Sequence, residues 1–268
     1  MRNHIILPAA ALVSGAVGFV LRALQWTAAY DAAQERFVSG SVISMALTAL
    51  LVIFAVLFLL TSLRCAPKEK QFPLACGDPL YMMLMAAGGF LFFGAGALGL
   101  LEGMEQLQLW RSGLSSDPSS YPIALLLCGG LCFVAGFCVL IMGKYGYRPA
   151  EGKSASLPAV LPPFALLVWL FASHQAHATD PIFMGYGIYL TAAGLLTVAH
   201  YDIAGFYHGQ RHTRRFLFCT LIGTVLAVVS FADSLSLFQM AMAAACVLPA
   251  LGQAYAMLSP VPASEPEL

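Results

Sequence analysis

The stretch from Ser44 to Leu63 constrains this chain most, because its 20 residues contain no charged side chain and no alternation of polar with apolar positions. A helix of about 20 residues is about 30 Å long, which matches the hydrocarbon core of a bilayer. The strands of a membrane barrel would instead read as alternating segments of about 10 residues. The stretch therefore predicts a helix that crosses a membrane.

The composition of the whole chain agrees with this prediction. Of its 268 residues, 60% are hydrophobic and 10% are charged, with 13 cations and 13 anions. Soluble domains carry about 25% charged residues, which cover their surface. The composition therefore excludes a soluble globule and a disordered chain. The net charge of zero leaves no basic footprint for nucleic acid.

Apolar stretches of similar length recur along the chain and predict one all-α domain, residues 1–258, built as a polytopic transmembrane helix bundle of about eight spans. The predicted spans are 5–26, 40–63, 79–101, 121–143, 157–174, 182–207, 215–232 and 235–258. Pro162 and Pro163 lie inside the fifth span, so a half-helix or re-entrant segment is the alternative there. The tail, residues 259–268, is rich in Pro and Glu and is expected to be disordered.

The positive charges predict the orientation of the bundle. With a cytoplasmic N-terminus and eight spans, ten Lys and Arg residues fall on the inner side, and only Arg22, Arg36 and Arg111 fall on the outer side. Cytoplasmic loops carry such an excess. We therefore expect both termini and the loops 64–78, 144–156 and 208–214 to be cytoplasmic, in a multi-pass protein of a bacterial plasma membrane. The first span is expected to stay uncleaved.

Small residues recur at helical spacing within three of the predicted spans. Membrane helices associate through such residues, because lipid tails are as apolar as leucine. These stripes predict closely packed helices, and a groove for a lipid or cofactor is the alternative. The stripes are Ala10–Ser14–Gly18, Ala95–Gly99–Gly103 and Cys128–Cys132–Gly136.

Arg22 continues the first stripe and is therefore expected to point into the bundle near its outer end. Its expected partners are the outer acidic residues, with Asp233, Glu102 and Glu105 as the candidates. A salt bridge between helix ends is the favoured interpretation, and a pocket where Arg22 meets an anionic solute is the alternative. The candidate outer polar cluster comprises Arg22, Glu102, Glu105, Asp180 and Asp233.

A second candidate cluster lies at the inner end of the sixth span and comprises His200, Asp202, His208, Arg214 and Arg215. A salt bridge from Asp202 to Arg214 or Arg215 is the favoured interpretation. A proton relay through Asp202, with His200 titrating near neutral pH, is the alternative. The basic run 211–215 is also expected to attract anionic lipid headgroups.

Neither a catalytic motif nor a cofactor site is predicted from the residues. His174, His177 and Asp180 lie close together in the loop before the sixth span, but they offer three metal ligands without a fourth, so no metal site is assigned. The seven cysteines lie within spans or beside the second loop and are expected to be free thiols.

The second half of the chain resembles a group of uncharacterised eight-span membrane proteins from anaerobic Gram-positive bacteria. The resemblance rests on Ala178–Pro181, Ala204–Gly209 with Arg214-Arg215, and Ser230–Asp233 with Ser236-Leu237. It implies the same eight-span organisation. It implies no activity, since none is assigned to that group.

The scarcity of charge within the spans favours a non-catalytic membrane protein, namely a scaffold, sensor or partner subunit. The alternative is a small-solute transporter or channel with an outward-facing polar pocket around Arg22, and a membrane-embedded enzyme is a third possibility. The expected partners are the lipid bilayer and either another membrane protein or a second copy of this chain. No nucleic acid partner is expected.

Overall fold

The apolar stretches form helices. The computed structural model describes residues 3–31, 36–38, 40–67, 76–114, 118–148, 155–176 and 183–259. This part of the chain contains eight α-helices and one short antiparallel hairpin. The helices are α1 (Asn3–Ala28), α2 (Val42–Cys65), α3 (Pro79–Arg111), α4 (Ser120–Tyr147), α5 (Ser156–Ala176), α6 (Phe183–Tyr207), α7 (Thr213–Ser230) and α8 (Leu237–Leu258), and the strands are β1 (Tyr30–Asp31) and β2 (Arg36–Phe37).

Within the described residues, seven helices are long and apolar enough to cross a membrane, namely α1, α2, α3, α4, α5, α7 and α8. The all-α class and the membrane character predicted from the sequence are therefore confirmed. The sixth helix has 25 residues, and the side chains of its first two, Phe183 and Met184, lie outside the described residues. The tail predicted to be disordered lies outside the described residues, apart from Ser259.

The third helix is longer than its predicted span, whereas the fifth keeps close to its predicted bounds. The third was predicted to end at residue 101 but continues to Arg111, for 33 residues. At 1.5 Å per residue it is about 50 Å long and exceeds the hydrocarbon core. The fifth is one continuous helix of 21 residues that includes Pro162 and Pro163, so a half-helix is not observed.

The helices differ sharply in how far they are buried. In the most apolar windows of α7 and α8, 72% and 78% of the residues are buried, whereas the value for α2 is 11%. The second helix packs mainly against α1 and α7, and its buried residues are Leu47, Phe58 and Ser62. It is the most loosely held helix of the bundle.

Glycines bring α3 and α4 into backbone contact. A Cβ atom on Gly129 would lie 2.9 Å from the backbone nitrogen of Leu100 and 3.0 Å from the carbonyl oxygen of Gly96. In α1 the buried row is Ala11, Gly15, Gly18, Arg22 and Gln25. That row is displaced by one position from the predicted stripe at Ala10 and Ser14, which are half-buried.

The antiparallel course of the helices gives the bundle two ends. We call them the Arg22 end, where α1 and α7 finish and α2 and α8 begin, and the Arg215 end, where α6 finishes and α7 begins.

Candidate functional site

The buried side chain of Arg22 is the centre of a polar network at the Arg22 end. Its Nε–H donates to Oδ1 of Asp233 at 2.6 Å, and Nη1 donates to Oε1 of Gln25 at 2.6 Å. The side chains of Arg22 and Asp233 are 1% and 3% exposed. The expected salt bridge is therefore present, and of the three acidic candidates Asp233 forms it.

The turn between α7 and α8 presents Asp233 to α1. The backbone N–H of Asp233 donates to the carbonyl of Ser230, and that of Leu235 donates to the carbonyl of Asp233. Helix α8 then starts with a capping box, in which Ser236 and Gln239 each accept from the other's backbone N–H. These bonds fix the carboxylate relative to the two most buried helices.

Aromatic rings cover the guanidinium. Its central carbon lies 5.0 Å from the ring centre of Phe37 and 5.4 Å from that of Trp26, which is within range of cation–π attraction. The indole N–H of Trp26 donates to Oδ1 of Asp233 at 2.9 Å. Phe37 reaches this position because β2 pairs with β1, with Phe37 opposite Tyr30.

Burial raises the pKa of Asp233 from its ordinary value, and the charge of Arg22 and the hydrogen bond from Trp26 oppose the shift. The second carboxylate oxygen, Oδ2, is buried and has no hydrogen-bond partner among the described residues. Desolvation of a buried ion pair often outweighs the attraction between its members. The ionised carboxylate of Asp233 is therefore costly to bury, and the positive charge of Arg22 stabilises its ionised form.

An apolar groove adjoins this network. Its volume is about 360 Å³, and it lies between α2 and α6, with α1 and α7 behind them. Apart from Thr48 and Thr191, its polar lining consists of Arg22 and Gln25. The hydroxyls of the two threonines donate to carbonyls of their own helices, Ser44 and Gly187. The remaining lining is apolar or glycine, namely Leu47, Leu51, Val52, Ala55, Gly187, Ile188, Ile222 and Leu226.

The amide of Gln25 links the network to the wall of the groove. Its Nε2 donates to the hydroxyl of Ser44 in the first turn of α2 at 2.9 Å. The amide also accepts from Arg22. Gln25 therefore links the buried ion pair to α2, the most loosely held helix of the bundle.

The other predicted members of the outer cluster lie elsewhere. Glu102 accepts a 3.4 Å hydrogen bond from the hydroxyl of Tyr121 and lines a closed crevice with Ser173 and Phe238. Glu105 is exposed on α3. Asp180 lies outside the described residues. The structure thus brings together Arg22 and Asp233 and adds Gln25, Trp26 and Phe37, which the sequence did not indicate.

At the Arg215 end, Asp202 and Arg215 form a two-pronged ion pair. The Nε–H of Arg215 donates to Oδ2 of Asp202 at 3.0 Å, and Nη2 donates to Oδ1. The carboxylate is fully buried, whereas the arginine side chain is 47% exposed. The expected bridge from Asp202 is therefore present and uses Arg215.

The remaining members of the inner cluster do not join this pair. His200 is buried, and its Nδ1 lies 2.9 Å from the carbonyl oxygen of Leu196 in its own helix. Its Nε2 has no hydrogen-bond partner among the described residues. His208 and Arg214 are exposed and line two separate cavities.

Arg22 and Gln25 are the charged or amide side chains that the Arg22 end contributes to the lining of the groove. Among the described residues, no group of three His, Cys, Asp or Glu side chains could hold a metal ion. Of the three loop residues weighed as metal ligands, His177 and Asp180 lie outside those residues.

Comparison with known proteins does not point to a function for this chain. No family model, curated protein or solved structure matches this chain significantly.

Proposed function

We propose that this chain is a non-catalytic, multi-pass membrane protein that acts as a sensor or partner subunit and binds an amphiphile from the bilayer in the groove beside Arg22. The observation that carries the proposal is the groove itself, an apolar cavity with Arg22 and Gln25 as its polar lining. The amphiphile would place a hydrogen-bonding head group near these two residues and its apolar part between α2 and α6.

The size of the groove fits such a ligand. Small-molecule sites are typically about 300–1,000 Å³, apolar, and furnished with few polar groups, and this groove measures about 360 Å³. Its lining on α2 runs from Leu47 to Ala55, which is about 12 Å along a helix axis. A hydrated solute would need polar walls over that length, so the lining favours an amphiphile over the small polar solute of the transporter alternative.

The proposed topology has eight spans, α6 included, with both termini in the cytoplasm of a bacterial cell. The excess of Lys and Arg at the Arg215 end supports it. A cysteine introduced at Ser154, with Cys65 and Cys76 replaced by serine, is expected to resist an impermeant thiol reagent in intact cells. A cysteine at Ser119, at the opposite end, is expected to react. The reverse labelling would overturn this topology.

Mass spectrometry of the protein purified in mild detergent tests the ligand. The wild type is expected to retain an amphiphile, and Thr191→Trp is expected to lose it, because the indole fills the groove. Val198→Trp is the matched control, since Val198 lies seven residues further along the same face of α6 and does not line the groove.

Equal retention by Thr191→Trp and wild type would refute binding in this groove. Loss of the amphiphile from both variants would show instead that any large substitution on this face of α6 disturbs binding. Both results concern only the groove at the Arg22 end and say nothing about ligand binding at the Arg215 end.

A further inference from the structure

A basic pocket lies where α2 ends and α7 begins. Its volume is about 420 Å³, and its lining is Ala66, Pro67, Arg211, His212, Thr213, Arg214 and Arg215. The hydroxyl of Thr213 donates to the carbonyl of Pro67 at 3.2 Å. This bond joins the two walls of the pocket.

Among the described residues, the pocket carries more positive charge than its acidic neighbours compensate. Arg215 shares its charge with Asp202. Arg211 and Arg214 are exposed, and among the described residues neither of them forms an ion pair. Two guanidinium groups three residues apart can bind one phosphate together, since each offers paired N–H donors.

A second apolar groove ends at the same turn. It measures about 410 Å³ and lies between α5 and α6. Gln210 lines this groove, and the next residue, Arg211, lines the basic pocket. The groove is lined by Val160, Pro163, Phe164, Leu167, Tyr201, Ala204, Gly205, His208 and Gln210. The apolar groove and the basic pocket therefore meet at the peptide bond between Gln210 and Arg211.

We infer that the α6–α7 turn is a binding site for an anionic phospholipid. The lipid phosphate binds Arg211 and Arg214, and one acyl chain lies in the groove between α5 and α6. The adjoining groove is what favours a lipid over free phosphate, because a free anion would leave it unused. A net negative head group, such as that of phosphatidylglycerol, is favoured over a zwitterionic one by the charge of the pocket. This inference does not depend on the Arg22 site.

Binding of short-chain phosphatidylglycerol, short-chain phosphatidylcholine and inorganic phosphate to the purified full chain tests the inference. Phosphatidylglycerol is expected to bind about tenfold or more tightly than phosphatidylcholine. Arg211→Gln/Arg214→Gln is expected to abolish this preference. Arg111→Gln, an exposed arginine at the other end of the bundle, is expected to keep it. Equal Tm values in lipid-free detergent show that the variants are folded.

The acyl groove is tested separately with Val160→Trp, which narrows it without changing the charge. This variant is expected to weaken phosphatidylglycerol binding and to leave inorganic phosphate binding unchanged. Three results would overturn the inference: equal binding of both lipids to the wild type, an equal loss in Arg111→Gln, or phosphatidylglycerol binding that Val160→Trp leaves intact. The last result, together with tight binding of inorganic phosphate, would identify a free-anion site instead.

Discussion

The two ends of the molecule contain the same kind of ion pair in opposite surroundings. Arg22 and Asp233 are both buried and are covered by Phe37 and Trp26. At the other end, Asp202 is buried but the side chain of Arg215 is 47% exposed. The pair at the Arg22 end connects α1 with the α7–α8 turn beside the groove and is shielded from water, whereas the pair at the Arg215 end has an exposed cation. The exposure of the arginine is therefore what distinguishes the two ion pairs.

Arg22→Met is expected to have the largest effect on this contrast. Removing one partner of a buried pair leaves the other charge uncompensated and typically costs about 3–5 kcal/mol. Arg215→Met also leaves a buried carboxylate without its partner, but it should cost less, because Arg215 is 47% exposed and water can take its place beside Asp202. Thermal or SDS unfolding of the two variants in the same detergent measures the difference. Equal losses would show that the exposure of the arginine does not matter.

A second substitution should rescue the Arg22 end. Adding Asp233→Asn to Arg22→Met removes the buried charge and is expected to restore about 2–3 kcal/mol of the lost stability. Adding Asp202→Asn to Arg215→Met should restore less, because water can already replace the exposed guanidinium beside Asp202. A double-mutant cycle at each end measures both coupling free energies. A coupling energy at the Arg22 end no larger than at the Arg215 end would contradict the proposed contrast.

The cost of Arg22→Met should also depend on pH. Burial already raises the pKa of Asp233, and removing Arg22 is expected to raise it further. A carboxyl group with a raised pKa contributes stability that is present in acid and lost as the pH rises through that pKa. The variant should therefore approach the wild type as the pH falls from neutral towards the ordinary pKa of Asp, about 4. Unfolding measured across this range tests the sign, and a loss that grows in acid would refute it.

The smallest expected difference between the two ion pairs is the response of their stability contributions to salt. Raising the ionic strength from about 0.1 M to 1 M shortens the Debye length from about 10 Å to 3 Å. The stability difference between wild type and Asp202→Ala should then shrink by up to about 0.5 kcal/mol, because Arg215 is half-exposed. The difference for Asp233→Ala should stay constant. A salt effect confined to Asp233→Ala would reverse the comparison.

The sequence predicted those contacts that depend on one helix or on neighbouring helices. The pair of Asp202 and Arg215 joins residues 13 positions apart, so the short α6–α7 turn already placed them together. Arg22 was oriented correctly by its helical row, and its partner was among three candidates although it lies 211 positions away.

Features that depend on non-sequential packing were not predictable in the same way. A hairpin whose two strands have two residues each places Phe37 over Arg22. Strands of this length are too short to show a periodicity in the sequence. The groove exists because α2 and α6 face each other without being neighbours in the chain. Gln25 was not predicted as a site residue, because the candidates within the spans were chosen for their ionisable side chains and an amide is neutral. Its position three residues after Arg22, on the same helical face, was the available signal.

The unequal attachment of the helices has a mechanical consequence. The spacing of α3 and α4 is set by backbone contact at Gly96 and Gly129, so this pair resists a change in tilt. The weakly attached α2 is the helix that adapts most readily when the hydrocarbon thickness changes, since tilting is the usual response to mismatch. Because α2 forms one wall of the Arg22 groove, a tilt of α2 would change the width of that groove.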